Sequence, residues 1–166
     1  MRVKNPKELF VTMLSQVRHG TELTEAVYRE LGELSKNPEI EEALEARACV
    51  SQQTLTKLDK AFKMIGEKRV KVTGRLHDVF VEDFRKELAE IQSPEAKRLF
   101  VLAKANHLNH MRTAEYVTVA AADVSGHQGV GVLLESCLVD HLAFVERTKR
   151  LIRHVIEAKI AARAAV

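Results

Sequence analysis

Residues 37–66 read NPEIEEALEARACVSQQTLTKLDKAFKMIG and carry the start, the pattern and the stop of one long helix. Asn37 can cap exposed N–H groups, and Pro38 suits the first helical position because its missing N–H would have no partner there. Gly66 is a typical C-terminal stop. The stretch therefore predicts an amphipathic helix with apolar or small residues at steps of three and four, interrupted by polar ones: Ile40, Leu44, Arg47, Ser51, Leu55, Leu58, Phe62 and Ile65.

A capping residue followed by proline also occurs before and after this stretch. All three prolines of the chain follow a capping residue, in Asn5-Pro6, Asn37-Pro38 and Ser93-Pro94, and none lies elsewhere. A turn at Ser125-Gly126-His127-Gln128-Gly129 separates the last two helical patterns. The predicted helices span about 6–35, 38–66, 74–91, 94–122 and 129–163.

The lengths of the connections predict how these helices pack. The first and second helices, and the fourth and fifth, are joined by short connections, so each pair is expected to be antiparallel. The chain between the second and fourth helices must then act as a crossover. We predict an all-α, ferritin-like four-helix bundle of two antiparallel hairpins, with an additional shorter helix in the crossover, in a single domain over 1–166.

Composition restricts the class of protein further. Among 166 residues there are 7 glycines and no tryptophan, which argues against a turn-rich β-sandwich or barrel. The formal net charge of +3 is too small to indicate a nucleic-acid-binding protein by itself. The last helix is basic, but cations near a helix C-terminus interact favourably with its dipole, so a nucleic-acid surface there is only the alternative interpretation.

Cysteine usage and hydropathy give an expectation for the compartment. Cys49 and Cys137 lie far apart, without metal-type spacing, and form no disulfide framework. No run of about 20 apolar residues is present, and the start lacks the apolar segment of a signal peptide. We expect a soluble cytoplasmic protein without a membrane partner.

The predicted apolar faces share an unusual feature, because each long helix is apolar towards both ends and small or polar near its centre. A core that only needed packing would carry leucine or valine there, and each buried, unpaired polar group costs about 1–3 kcal/mol. Polar side chains at one level should therefore satisfy each other or bind a ligand. The predicted polar centre comprises Thr24, Arg47, Ser51, Asn106, Asn109, Arg112 and His141.

Several segments, in order and spacing, resemble the bacterial YciE/YciF-like ferritin-like proteins. They include Pro6-Lys7-Glu8-Leu9-Phe10, Glu42-Ala43-Leu44, Leu108-Asn109-His110 and Ala114-Glu115-Tyr116, spread over most of the chain. The resemblance implies a ferritin-like bundle, usually dimeric, that is associated with stress responses and has no settled activity. No protein partner other than a second copy can be named from it.

The resemblance also implies two metal ions held by glutamates and a Glu-x-x-His motif, but this chain departs from that pattern. The positions that match the family's ligands carry mostly other residue types: Thr21, Cys49, Gln52, Asp78, Asn109, Arg112 and Asp140. A pair of iron or manganese ions needs several carboxylates to offset its charge, and Arg112 adds positive charge instead. We therefore expect no cofactor, and we expect Arg112 to pair with Asp78 or Asp140.

Three alternatives remain open at this stage. A shifted ligand set of Glu22, His110, Asp140 and His141 would hold an iron or manganese pair and support oxidase or peroxide chemistry. The spacing of His107 and His110, or of His19 and Glu22, would suit zinc. Cys49 would be a nucleophile if a nearby base activated it. The favoured interpretation is a metal-free, non-catalytic bundle with a binding or structural role, linked to stress by the resemblance.

Overall fold

The computed structural model describes residues 3–120 and 126–164. This part of the chain forms five α-helices: α1 (Pro6–Ser35), α2 (Pro38–Ile65), α3 (Arg75–Glu90), α4 (Pro94–Ala120) and α5 (Gln128–Ala164). Three of them, α1, α2 and α4, start at the predicted prolines. The end of α2 and both ends of α3 and α5 each differ from the predicted bounds by one residue. The predicted end of the fourth helix at residue 122 and the predicted turn residue Ser125 lie outside the described residues.

Local hydrogen bonds explain where these helices begin and end. The side-chain oxygens of Asn5, Asn37 and Ser93 each accept a hydrogen bond from the backbone N–H three residues later, at 2.9, 3.1 and 3.3 Å. Each therefore satisfies one of the N–H groups that a helix start leaves without a partner. Gly66 follows the last residue of α2 and caps it, and its φ of 69° is a left-handed conformation that glycine adopts without a steric penalty.

The helices pack as two hairpins around a common interior. Helix α1 lies against α2, and α4 lies against α5. The hairpins meet through contacts of α1 with α4 and of α2 with α5, while α3 crosses the outside and contacts α1 and α4. The prediction of an all-α bundle of two hairpins, joined by a crossover that contains a shorter helix, is confirmed.

The interior contains two apolar clusters at opposite ends of the bundle. Along each long helix, the buried members of one cluster end before those of the other begin. The first cluster is centred on Tyr28, Leu44, Phe84, Leu102, Phe144 and Leu151. The second is centred on Phe10, Leu14, Leu58, Phe62, Tyr116 and Leu134.

Helix α5 requires a correction to the expectation about membranes. By length and composition alone, Gln128–Ala161 is long and apolar enough to cross a membrane, because an 18-residue window within it has a mean hydropathy of 1.3. The expectation rested on the absence of an uninterrupted apolar run, whereas a mean over 18 residues tolerates a few charged ones such as Glu135 and Asp140. The same helix buries Leu134, Phe144 and Leu151 in the core of the bundle, and core helices commonly meet this criterion, so the finding is weak evidence for a membrane.

Candidate functional site

A layer of buried polar side chains lies between the two apolar clusters, and all four long helices contribute to it. We call it the central polar layer, and its members are Thr21, Thr24, Arg47, Ser51, Asn109, Arg112 and His141. Asn106, which the sequence also placed here, is only half-buried, and its Oδ1 atom has no hydrogen-bond partner among the described residues. Thr54 is buried near the layer as well, although the sequence pattern did not single it out.

Three side chains from three helices form the middle of this layer. Arg47 of α2 approaches His141 of α5, with Nη2 at 2.8 Å from Nδ1 and 3.1 Å from Nε2. Asn109 of α4 donates from Nδ2 to the backbone oxygen of His141 at 2.8 Å, so its Oδ1 is free to accept. That Oδ1 atom lies 2.9 Å from His141 Nδ1 and 3.4 Å from Arg47 Nε.

These contacts restrict the protonation state of His141. A guanidinium can only donate, so an imidazole nitrogen that pairs with Arg47 must accept. Nδ1 lies near both the Arg47 donor and the Asn109 Oδ1 acceptor, and Nε2 lies near Arg47 alone. An acceptor for Arg47 exists only on a neutral imidazole, because a protonated one has a donor at both nitrogens.

The surroundings keep His141 neutral over a wide range of pH. Burial, followed by the positive charges of Arg47 and Arg112, lowers the pKa of His141 to about 2. A neutral imidazole can serve as an acceptor for Arg47, whereas a protonated one would repel it.

Arg47 is a buried cation without a carboxylate partner. It is 3% exposed, and no carboxylate of the described residues lies within ion-pair distance of it. Two aromatic rings flank the guanidinium carbon, with centroids 5.3 Å away for Tyr28 and 5.7 Å away for Phe144. The charge is therefore stabilised by cation–π contacts and neutral acceptors, while the Tyr28 hydroxyl beside it has no hydrogen-bond partner among the described residues.

Arg112 occupies the α1 side of the layer, and its partners differ from those predicted. Its Nη2 atom donates to the backbone oxygen of Val17 at 2.7 Å and lies 2.5 Å from the Glu115 carboxylate. Burial lowers the pKa of Arg112 and raises that of Glu115, while the ion pair opposes both shifts. The predicted pairing with Asp78 or Asp140 is wrong, because Glu115 stands one turn away on the same helix.

The two rejected carboxylates have other surroundings. Asp78 is exposed on α3, and Asp140 is half-buried and pairs with Lys57 at 3.1 Å. Neither lies against the Arg112 guanidinium.

The remaining positions that match the family's ligands do not gather at one place. Thr21 is buried, donates to the backbone oxygen of Val17 at 2.8 Å and lies 3.3 Å from the Tyr116 hydroxyl. Cys49 and Gln52 are exposed on the outer face of α2, where Gln52 donates to Glu25 at 2.7 Å. The interior-facing pair with the same spacing on α2 is Ala48 and Ser51, one residue earlier in each case.

The shifted ligand set is also dispersed. Glu22 is exposed and pairs with Arg18 at 2.9 Å, His110 is exposed, and His141 is committed to Arg47 and Asn109. Asp140 of this set pairs with a lysine, as described above. Within the described part of the chain, no group of three or more His, Cys, Asp or Glu side chains is placed to hold a metal ion.

The residues present therefore fit a carboxylate-bound metal pair poorly. Two guanidinium groups lie in the central polar layer, and Glu115 is the carboxylate that contacts one of them. Metal cations would experience repulsion from Arg47 and Arg112 without the several carboxylates that normally offset their charge.

The other two alternatives lack the arrangement that each requires. His107 is exposed and stacks edge-on against Phe80 with 5.5 Å between ring centroids, so it does not converge with His110 on a common point. The thiol of exposed Cys49 donates to the Glu45 carboxylate, with Sγ 3.7 Å from its oxygen, and Cys137 is buried.

Sequence reasoning missed the roles of Glu115 and Tyr28, and it placed Gly20 in the small or polar centre of the first helix without predicting its contact with Arg112. Glu115 follows Arg112 by three residues, which is a recognisable ion-pair spacing on a helix. Gly20 is buried in α1 at a place where a Cβ atom would overlap the Arg112 guanidinium. The available signal for the contact between Gly20 and Arg112 was a glycine in the middle of one predicted helix and an arginine on the apolar face of another.

Replacing Gly20 with alanine tests this close approach. We expect Gly20→Ala to lower the free energy of unfolding by about 1–3 kcal/mol, because the buried guanidinium must leave its partners. Gly32→Ala in the same helix is the matched control, since its Cβ would meet its nearest atoms at 3.5 Å. The control should be neutral or stabilising by up to about 1 kcal/mol through helix propensity. Equal effects of the two substitutions in urea unfolding would contradict the interpretation, and in an Arg112→Met background the Gly20 penalty should shrink.

The neutral His141 predicts a specific loss of stability in acid. Its folded-state pKa of about 2 lies below the unfolded value of 6.5, so below pH 6.5 the unfolded chain binds one more proton. Its contribution to stability is complete above pH 6.5 and falls as the pH decreases, by roughly 2–3 kcal/mol between pH 6.5 and 4.5. In His141→Gln the amide can still accept and donate but does not titrate, so we expect a smaller loss. Urea unfolding at both pH values checks this, with the exposed His110→Gln as control; an unchanged pH dependence in His141→Gln would refute it.

Comparison with known proteins places this bundle in a family. The chain is similar in structure to YcfI, a putative structural protein from Rhodopseudomonas palustris, with a TM-score of 0.84 and 20% identity over 89% of this chain and 94% of that one. It is also similar to the stress protein YciF of E. coli, with a TM-score of 0.87 and 18% identity over 93% and 99% of the two chains. A protein from Xanthomonas campestris pv. campestris has a TM-score of 0.71 and 18% identity over 98% and 100%.

At these identities the structural likeness shows the fold alone. No curated protein matches the sequence significantly. Residues 5–165 match the model of the family described as a domain of unknown function, DUF892. Together with the YciF-like fold, this match confirms the resemblance found in the sequence, and the chain belongs to the DUF892 family.

Proposed function

We propose that this protein is a metal-free ferritin-like bundle with a non-catalytic binding or structural role in a stress response. The observation that carries the proposal is the pair of buried guanidinium groups of Arg47 and Arg112 in the middle of the bundle. Together with Glu115 they leave a formal excess of one positive charge at the level where a carboxylate bundle would hold cations.

The hydrogen bonds of the central polar layer support a structural role for it. Arg47, Asn109 and His141 use their donors and acceptors on each other, so the three side chains have little capacity left for a substrate. Catalysis needs a group that can reach a substrate, and each of these side chains is at most 3% exposed. A polar layer whose side chains hydrogen-bond mainly to one another is typical of a structural element rather than of a reaction centre.

The names of the structural neighbours support the biological part of the proposal. YciF is named a stress protein and YcfI a putative structural protein. Neither name refers to an enzyme activity. The same role in this chain is an extrapolation from shared fold and family.

The proposal includes that the protein is a cytoplasmic homodimer and does not bind nucleic acid. Several apolar side chains of α5 are exposed and offer a surface for a second copy: Val132, Val139 and Leu142 are 68%, 62% and 49% exposed. The net charge of +3 gives little attraction for a polyanion.

Metal content tests the central claim. We expect protein purified without chelator or affinity tag, from cells grown with added iron and manganese, to contain both metals only at trace levels by elemental analysis. The repulsion from Arg47 and Arg112 is the physical reason. About two equivalents of iron or manganese per chain would overturn the proposal and favour the di-metal alternative. About one equivalent of zinc would overturn it as well and direct attention to the histidines.

A complementation assay tests the non-catalytic role. In a strain that lacks the protein and shows a stress-sensitive phenotype, a triple variant, Glu22→Gln with His110→Gln and Asp140→Asn, should restore survival as well as the wild type does. These side chains form the shifted ligand set and lie outside the central polar layer, so their loss should leave the bundle intact. Arg47→Met at comparable expression serves as the contrast and should restore survival less well. Failure of the triple variant, with Arg47→Met active, would contradict the proposal.

A further inference from the structure

A cavity of about 250 Å³ lies between α1, the start of α3 and α4, and the function proposed above does not use it. It is smaller than the roughly 300–1,000 Å³ of sites for drug-sized ligands, so it suits a small ion or a small metabolite. The residues of its lining that carry the argument are His19, Gly20, Gly74, His77, Arg112 and Glu115.

The first turn of α3 supplies backbone donors at this cavity. Gly74 is the N-cap residue of the 16-residue helix, and no side chain caps its N–H groups. The first intrahelical bond at this end is that of Asp78 to the Gly74 oxygen, at 3.0 Å. The N–H groups of residues 75–77 therefore have no partner within the helix, and the positive end of the helix dipole lies beside the cavity.

Arg112 supplies a second, independent donor. The side chain is 5% exposed and borders the cavity, and its buried Nε atom has no hydrogen-bond partner among the described residues. Its Nη2 atom is engaged by the Val17 oxygen and by Glu115. A buried N–H group without an acceptor destabilises the folded chain, and an acceptor in the cavity would remove that penalty.

Two histidines complete the surroundings. His19 on α1 and His77 on α3 are half-buried in the lining. Burial, with smaller contributions from Arg112 and His19, lowers the pKa of His77, and the exposed Asp78 opposes this shift. A Cβ atom at Gly74 would lie 3.1 Å from His19 Nε2 and 2.8 Å from a methyl group of Leu23, so glycine permits this close approach of α3 to α1.

Glu115 is the carboxylate in the lining, and it faces Arg112. Its charge offsets that of the guanidinium, and its buried Oε2 atom has no hydrogen-bond partner among the described residues. The N–H groups of Arg112, of the two imidazoles and of the uncapped helix start are the donors around the cavity, and they outnumber the acceptor atoms of this one carboxylate.

We propose that this cavity binds a small oxyanion of the phosphate type, held by the first-turn N–H groups of α3, by Arg112 and by His19 and His77. Phosphate oxygens are strong acceptors and match both an uncapped helix start and a guanidinium. The site does not depend on whether the bundle is metal-free, so it stands or fails separately from the function proposed above.

The test is a titration of the ¹⁵N-labelled full chain with inorganic phosphate at constant ionic strength, with chloride as the reference anion. We expect saturable changes in amide chemical shift confined to residues 74–77 and to the neighbouring turns of α1 and α4. Glycerol 3-phosphate is the second probe. Tighter binding of this ester than of the free ion would identify the site as one for phosphomonoesters; the reverse would identify free phosphate.

Variants assign the residues. His77→Gln and His19→Gln, both at half-buried positions, should fold and should weaken phosphate binding at least fivefold each. The exposed His110→Gln, outside the cavity, is the matched control and should bind as the wild type does. The proposal is overturned if phosphate shifts the α3 amides no more than chloride does, or if the two lining variants and the control bind equally well.

Discussion

A guanidinium group in the middle of a four-helix bundle must be surrounded by acceptors, because removing it from water costs several kcal/mol. Arg47 meets this requirement without a carboxylate. Neutral His141, the amide oxygen of Asn109 and the faces of Tyr28 and Phe144 take the place of water. The composition of the central polar layer follows from this one constraint, since each of these groups would be a poor choice for a purely apolar core.

Arg112 imposes the same requirement on the α1 side of the bundle. Its guanidinium approaches the α1 backbone closely enough to bond the Val17 oxygen, and a Cβ atom at Gly20 would overlap it. Glu115 provides the counter-charge from the same helix, and burial shifts the pKa of each partner towards its neutral form. The pair therefore stabilises the contact between α1 and α4 mainly by avoiding an uncompensated buried charge.

The sequence predicted the fold closely because its signals are local. An Asn-Pro or Ser-Pro pair defines a helix start through two adjacent residues, and a seam of periodic side chains defines the buried face. It also placed Arg47, Asn109, Arg112 and His141 in the interior, since a polar residue on an apolar seam is visible by its spacing alone. Pairings could not be predicted in this way. The position of the Arg112 guanidinium depends on its rotamer and on how α1 and α4 rotate against each other. Matching a residue to the family's pattern with an error of one position turns its side chain by about 100° around the helix axis. For this reason the matched Cys49 and Gln52 lie outside the bundle, while Ala48 and Ser51 lie inside.

The two arginines also relate the hairpins to each other. Arg47 belongs to the α1–α2 hairpin and bonds to residues of α4 and α5, whereas Arg112 belongs to the α4–α5 hairpin and bonds to α1. Each hairpin thus places one cation among acceptors of the other. Sliding one hairpin along the other by a helical turn would move both guanidinium groups into apolar clusters, at the cost of two unpaired buried charges. Buried ionic groups are well suited to fixing the register between two hairpins, because they add little net stability but strongly penalise a wrong register. In a metal-binding bundle, ions at this level would join the helices, whereas here the side chains of the central polar layer join them.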